Sequence, residues 1–223
     1  MSEFVTIKEN VQAEITEKKS KFIANIIKVE NKNEAEENIL KLKKKYYDAK
    51  HNCIAYRIKE DQGVIEKASD DGEPQGTAGQ PILNILQKNN LCNILVVVTR
   101  YFGGILLGTG GLVRAYSEAT TKALEKSIRV KNILGIKMEV ILEYNEYEKF
   151  KYYCKINEIN IQNVKYEENI VCNITLEEKT KEKLISDFEI KNIKIKNLKE
   201  FDKTYIEKSI IKWHFHKNKW KKM

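Results

Sequence analysis

The chain has 223 residues, of which 42% are hydrophobic and 32% charged, which suits one large or two small globular domains and excludes a disordered chain. No apolar run approaches the roughly 18 residues needed to span a bilayer, and the opening MSEFVTIKEN has no apolar leader core, so a cytoplasmic protein with no membrane partner is expected. The net charge of +8 sits mainly at the end: residues 201–223 hold 7 basic and 2 acidic groups, while 131–200 hold 13 of each.

KSKFIANIIKVEN (19–31) alternates loosely and predicts a strand. NEAEENILKLKKKYYD (33–48) places apolar residues at 35, 39, 42 and 46, a helical spacing, with Asn33 as cap and Glu36 as its capping-box partner. HNCIAYRI (51–58) predicts a second strand, and GVIEKASDDGEP a strand running into a turn. AGQPILNILQKNN predicts a short helix that tolerates Pro81 in its first turn. NILVVVTRYF is β-branched enough for a buried strand. A helix follows from Gly110, with Leu112, Val113, Tyr116, Ala119, Thr120, Ala123 and Leu124 on one broad face.

Beyond about Lys131 the pattern changes. ILGIKMEVILEY, NEYEKFKYYCKIN, INIQNVKYEE, NIVCNITLEE, KTKEKLISDFEI and KNIKIKNLKEF read as β-α-β-β-α-β, the split ferredoxin-like unit. The expected fold is therefore α+β in two domains, 1–130 and 131–200, with a basic extension over 201–223. Trp213, His214, Phe215 and His216 lie in that extension, and a lone His-x-His pair is weak support for a metal. A basic tail attracts nucleic acid, and it is also what a Lys-rich composition leaves at a solvated terminus. The four cysteines, 53, 92, 154 and 172, form no CxxC pair. Buried thiols are expected, with neither metal nor cofactor.

Residues 70–117 differ from the rest. They hold eight of the ten glycines and both prolines, and no carboxylate occurs between Glu73 and Glu118. Only four of the 40 basic residues are arginine, and two of them, Arg100 and Arg114, lie here. Arg offers a planar fork for phosphate or carboxylate that Lys lacks. GGILLGTGGLVRAYS joins a strand to a helix through Gly103, Gly104, Gly108, Gly110 and Gly111, and a helix N-terminus with close backbone access suits an anion. The spacing is neither a Walker nor a Rossmann motif; a tight, closely packed turn is the structural alternative. Tyr101 and Phe102 add rings that can stack bases. Asp70, Asp71 and Glu73 cluster around a turn. They can act as acid, base or Mg²⁺ ligands, or brace the two arginines.

DDGEPQGTAGQPIL together with VVVTRYFGGILLGTGGLVRAYSEAT resembles the signature of the YigZ/IMPACT family, over roughly residues 16–128. The second half resembles the small C-terminal domain of bacterial YigZ-like members. The resemblance implies a ribosomal-protein S-five domain-two-like N-terminal fold, as in domain IV of elongation factor G, with a left-handed βαβ crossover that general topology rules disfavour. It implies a ferredoxin-like C-terminal domain. Eukaryotic IMPACT relatives are translation regulators that also carry an RWD domain, which this sequence lacks. Some relatives are labelled dipeptidases, but no metal-ligand set here supports that chemistry.

The expected function is thus non-enzymatic: binding of RNA or the ribosome, tied to translation, through Arg100, Tyr101, Phe102, the glycines and Arg114. One alternative is an enzyme acting on a phosphorylated small molecule or nucleotide through the glycine loop. Another is a module that binds translation-factor proteins through the same face.

Overall fold

The computed structural model describes residues 3–60 and 63–211, except for the side chains of 208–211. The chain forms two compact units, Glu3–Lys131 and Asn132–Lys208. Among the described residues, no helix is long and apolar enough to cross a membrane.

The first unit contains β1 (Glu3–Ile7), β2 (Val11–Glu17), β3 (Ser20–Lys28), α1 (Lys32–Lys45), β4 (His51–Glu60), β5 (Gly63–Ser69), α2 (Gly79–Lys88), β6 (Ile94–Tyr101) and α3 (Gly108–Lys126). Five strands make one sheet in the order β2-β3-β6-β4-β5, each neighbouring pair antiparallel. The middle strand carries the uninterrupted apolar run because both its faces are covered. Val96 and Val98 join the core with Ile82 and Leu86 of α2 and Leu112, Ala115 and Tyr116 of α3. Leu95 and Val97 point the other way, into a core with Ala35, Ile39 and Leu42 of α1.

Some local expectations shift. Helix α1 is capped by Asn31, whose side chain accepts from the Glu34 amide, and not by Asn33. Glu34 accepts from the Glu30 amide at 2.8 Å, so this carboxylate does the work expected of Glu36. Helix α3 begins at Gly108, two residues early, and its buried stripe runs through Leu112, Ala115, Tyr116 and Ala119, leaving Val113 exposed. Strands β1 and β2 were not anticipated. In VQAEITE only Ala13 and Ile15 are buried, so two residues carry the whole alternation. Strands β2 and β3 join through Lys18 and Lys19 alone, since Glu17 pairs with Ser20. Both lysines have left-handed backbone, with φ of 44° and 64°.

The second unit contains most of β7 (Arg129–Leu142), then α4 (Tyr144–Ile156), β8 (Asn160–Tyr166), β9 (Ile170–Glu177), α5 (Lys181–Ile190) and β10 (Ile195–Ile211). Its strands are ordered β10-β7-β9-β8. Phe150 and Tyr153 of α4 and Phe188 of α5 pack on one another and on Val140, Cys172 and Ile174 of the sheet. Strand β10 extends to Ile211, so residues 201–211 are strand and not an irregular extension. Trp213, His214, Phe215 and His216 lie outside the described residues.

Candidate functional site

Strand register builds the site. Arg100 on β6 stands opposite Phe22 on β3 and His51 on β4, so these three form one row across the sheet. Side chains alternate along a strand, and this row shares the face of Val98 and Cys53, which is the face covered by α3. The turn 70–74 and the start of α3 close over the row. Together they enclose a cleft of about 420 Å³, lined by Lys50, His51, Glu73, Arg100, Phe102 and the 106–109 segment, among others.

Each acid of the turn is engaged. Asp70 accepts from the amides of Gly76, Ala78 and Gly79 at 2.8–2.9 Å and so caps the start of α2. Asp71 accepts from the Asn52 amide at 2.7 Å and from Lys43 Nζ at 2.6 Å. Glu73 is buried and accepts from Arg100 Nη1 at 2.6 Å and from the Tyr116 hydroxyl at 2.9 Å. The contacts are those of a brace. Among the described residues, no group of three or more His, Cys, Asp or Glu is arranged to hold a metal.

Arg100 is therefore not on an open anion surface. It is buried, ion-paired with Glu73, and lies between the rings of Phe22 and Phe102, each centroid 5.5 Å from its guanidinium carbon. Phe102 is itself 49% exposed, so one ring meets both the buried cation and the cleft. The Tyr101 hydroxyl donates to Asp48 at 2.8 Å, which turns this residue to structural use. Gly103 packs so closely on Lys19 and Ser20 that a Cβ there would fall inside their backbone, and its amide donates to Ser20 Oγ at 3.2 Å. Gly104 and Gly108 take left-handed backbone, φ 84° and 69°, at the two ends of the loop that delivers the chain to α3.

No side chain caps α3, whose first turn is Gly108, Thr109, Gly110 and Gly111. Its leading amides are thus left without the partner that a capping side chain supplies. Gly110 and Arg114, four residues apart on one helical face, are both exposed, and Gly111 is buried against Leu107. Arg114, Lys18, Lys19 and Lys50 are exposed and make no ion pair among the described residues. Leu106, 82% exposed, lines the cleft together with Lys50.

Sequence reasoning gave no site role to His51 or Tyr116, while Cys53 is the buried thiol expected. His51 is remote in sequence from Glu73, and only the β4–β6 register brings its Nε2 to 4.0 Å from Glu73 Oε1. Its one visible signal was being the single histidine before the tail. Cys53 donates to the Asp70 carbonyl at 2.9 Å and to the Tyr116 hydroxyl at 3.2 Å. Burial pushes its thiol from 9.0 up to about 12, and likewise holds the Tyr116 phenol in its protonated form. Cys53 is thus a packing thiol and not a nucleophile. Unfolding frees a thiol that ionises near 9.0, so the stabilisation is complete below that pH. It is lost between about 9 and 12. In urea titrations the midpoint should fall across this window, and Cys53→Ala should flatten the fall relative to the unaltered protein.

Known proteins resemble this chain in sequence and in fold. The family model described as the Impact N-terminal domain matches residues 18–124, which include every residue of the cleft. The chain belongs to the IMPACT family. It is 39% identical over 209 residues to the IMPACT family member YvyE of Bacillus subtilis, covering 93% of this chain and 95% of that one. It is 36% identical over 191 residues to an IMPACT family member of Haemophilus influenzae, covering 84% and 91%. The crystal structure of a hypothetical protein is similar across both units, with a TM-score of 0.60 at 26% identity, and covers 91% of this chain and 98% of that chain.

Proposed function

We propose that this chain is a non-enzymatic, translation-associated protein that binds RNA, free or on the ribosome, with the cleft as its contact face. The first unit is read as S-five-like and the second as ferredoxin-like, the latter supported by the strand order β10-β7-β9-β8 with two helices on one core. Membership of a family with translation regulators among its eukaryotic members supports the setting. The observation that carries the reading is the exposed ring of Phe102 in a cleft whose opposite wall is the uncapped start of α3. A ring stacks a base, and helix amides with nearby cations hold the adjoining phosphate. Lys18, Lys19, Lys50 and Arg114 supply the cations, while Arg100 stiffens Phe102 from behind.

The enzyme alternative draws less support. It needs Asp70, Asp71 or Glu73 as base or metal ligand, and all three are bonded within the protein.

Fluorescence anisotropy with a short single-stranded RNA tests the proposal. Log affinity should fall linearly with log salt, by about 0.7 per phosphate contacted. Lys50→Ala combined with Arg114→Ala should weaken binding several-fold and reduce that slope by about 0.7 for each phosphate no longer neutralised. Phe102→Ala should cost about 1–3 kcal/mol of binding. No binding at low salt, or binding indifferent to all three changes, would overturn the reading.

A further inference from the structure

The RNA reading leaves His51 unused, and its geometry is specific. Nδ1 lies 2.9 Å from the Asp71 carbonyl oxygen. A carbonyl only accepts, so Nδ1 carries the hydrogen. Gly72 runs close to the same edge of the ring, where a Cβ would stand 3.4 Å from Nδ1. The side chain is nine-tenths buried, yet among the described residues Nε2 makes no hydrogen bond, since Glu73 Oε1 at 4.0 Å is out of reach. A largely buried imidazole that lines the cleft thus keeps one ring nitrogen without a hydrogen bond among the described residues.

Glu73 does not make the cleft anionic, because Arg100 neutralises it and Tyr116 occupies the same oxygen. What remains is Lys50, the start of α3 at Gly108 and Thr109, and His51. These are three separate sources of bonding to one anion.

A phosphodiester and a phosphomonoester differ in what they offer His51. The diester has two free oxygens and no proton. The monoester has three, and its second proton leaves only near pH 6. A neutral imidazole accepts that proton's hydrogen bond, and a charged one donates to the monoester dianion. In the first of these pairings the shared proton comes from the phosphate, and a diester has none to supply. The volume points in the same direction, since about 420 Å³ is at the small end of ligand clefts, which span about 300–1,000 Å³.

We propose that the cleft holds a terminal phosphate, a phosphomonoester gripped by His51, Lys50 and the start of α3, with its nucleoside lying on Phe102. The ligand chemistry is that of a phosphorylated strand end or of a free mononucleotide. This inference rests on the cleft being the contact face, and the two can fail separately.

Calorimetric titration of the full chain decides between them. The probes are one short RNA bearing a 5′ phosphate, a 3′ phosphate or neither, together with free nucleoside monophosphates. A phosphorylated form should bind about tenfold or more tightly than the unphosphorylated one, as charge-assisted hydrogen bonds imply. His51→Gln should bring that ratio below about threefold. If this variant does not fold, the ratio on the unaltered protein still decides. Equal affinity for all three RNAs overturns the terminal phosphate and leaves RNA binding standing. Mononucleotide binding without RNA binding supports the terminal phosphate and overturns the RNA reading. Binding of no probe overturns both.

Discussion

Glu73→Ala should lower unfolding free energy by about 3–5 kcal/mol, because it leaves the Arg100 guanidinium buried without its counter-charge. The side chains are 3% and 7% exposed, so the guanidinium left behind is still largely buried. The damage should spread, since the same oxygen holds the Tyr116 hydroxyl, and Tyr116 packs edge-on against Phe22 at 5.1 Å between centroids. Arg100→Ala should cost a similar amount by stranding Glu73. Replacing both together, Glu73→Leu with Arg100→Met, should recover most of the loss, because the burial penalty disappears with the pair. Urea unfolding of the four proteins measures this, and single losses below about 1 kcal/mol would refute the brace. The cycle also protects the binding experiments. A weakened Arg100 variant would report a damaged fold, which is why Lys50 and Arg114 are the residues to change there.

The second large effect is expected at Gly103. Its α-carbon abuts the backbone of Lys19 and Ser20, so the methyl of Gly103→Ala has nowhere to go unless the β2–β3 turn moves. Overpacking costs about 1–3 kcal/mol and occasionally more, and a backbone obstacle on the far side points to the upper end, about 3 kcal/mol. Gly110→Ala is the control. It lies in α3 with open space around it, and should raise stability by about 0.5–1 kcal/mol through helix propensity. Thermal unfolding of both variants separates them by sign. Two glycines seven residues apart in one motif thus have opposite reasons for being there.

Much of this was legible in the chain. The run LVVV gives β6 because continuous β-branched residues need cover on both faces, and α1 on one side and α2 with α3 on the other provide it. The six elements from β7 to β10 follow in order from periodicity, most plainly in β9, whose burial alternates strictly. The glycine and arginine census located the right segment. It did not assign roles within it, because roles depended on long-range pairing. Arg100 looked like an anion-binding group in an acid-free stretch, yet the acid it needs is Glu73, 27 residues back and folded onto it. His51 stood out only as the single histidine before the tail, since nothing in HNCIAYRI states that it will face Arg100 across β4 and β6. The Asn31 cap was missed because the sequence offers Asn at both 31 and 33, and only the backbone at Asn31 is extended.

The Lys18–Lys19 turn carries a consequence of its own. A two-residue hairpin with both residues left-handed is the conformation that Asn-Gly adopts with least strain, whereas a left-handed residue with an ordinary side chain costs about 1–2 kcal/mol. A more stable turn is therefore only two substitutions away, and it would remove two positive charges from the tip that Gly103 is pressed against. Stability and charge oppose one another at this single place on the surface. Laboratory selection for thermal resistance alone should drift the turn toward Asn-Gly, and selection that also requires the protein's binding partner should hold both lysines in place.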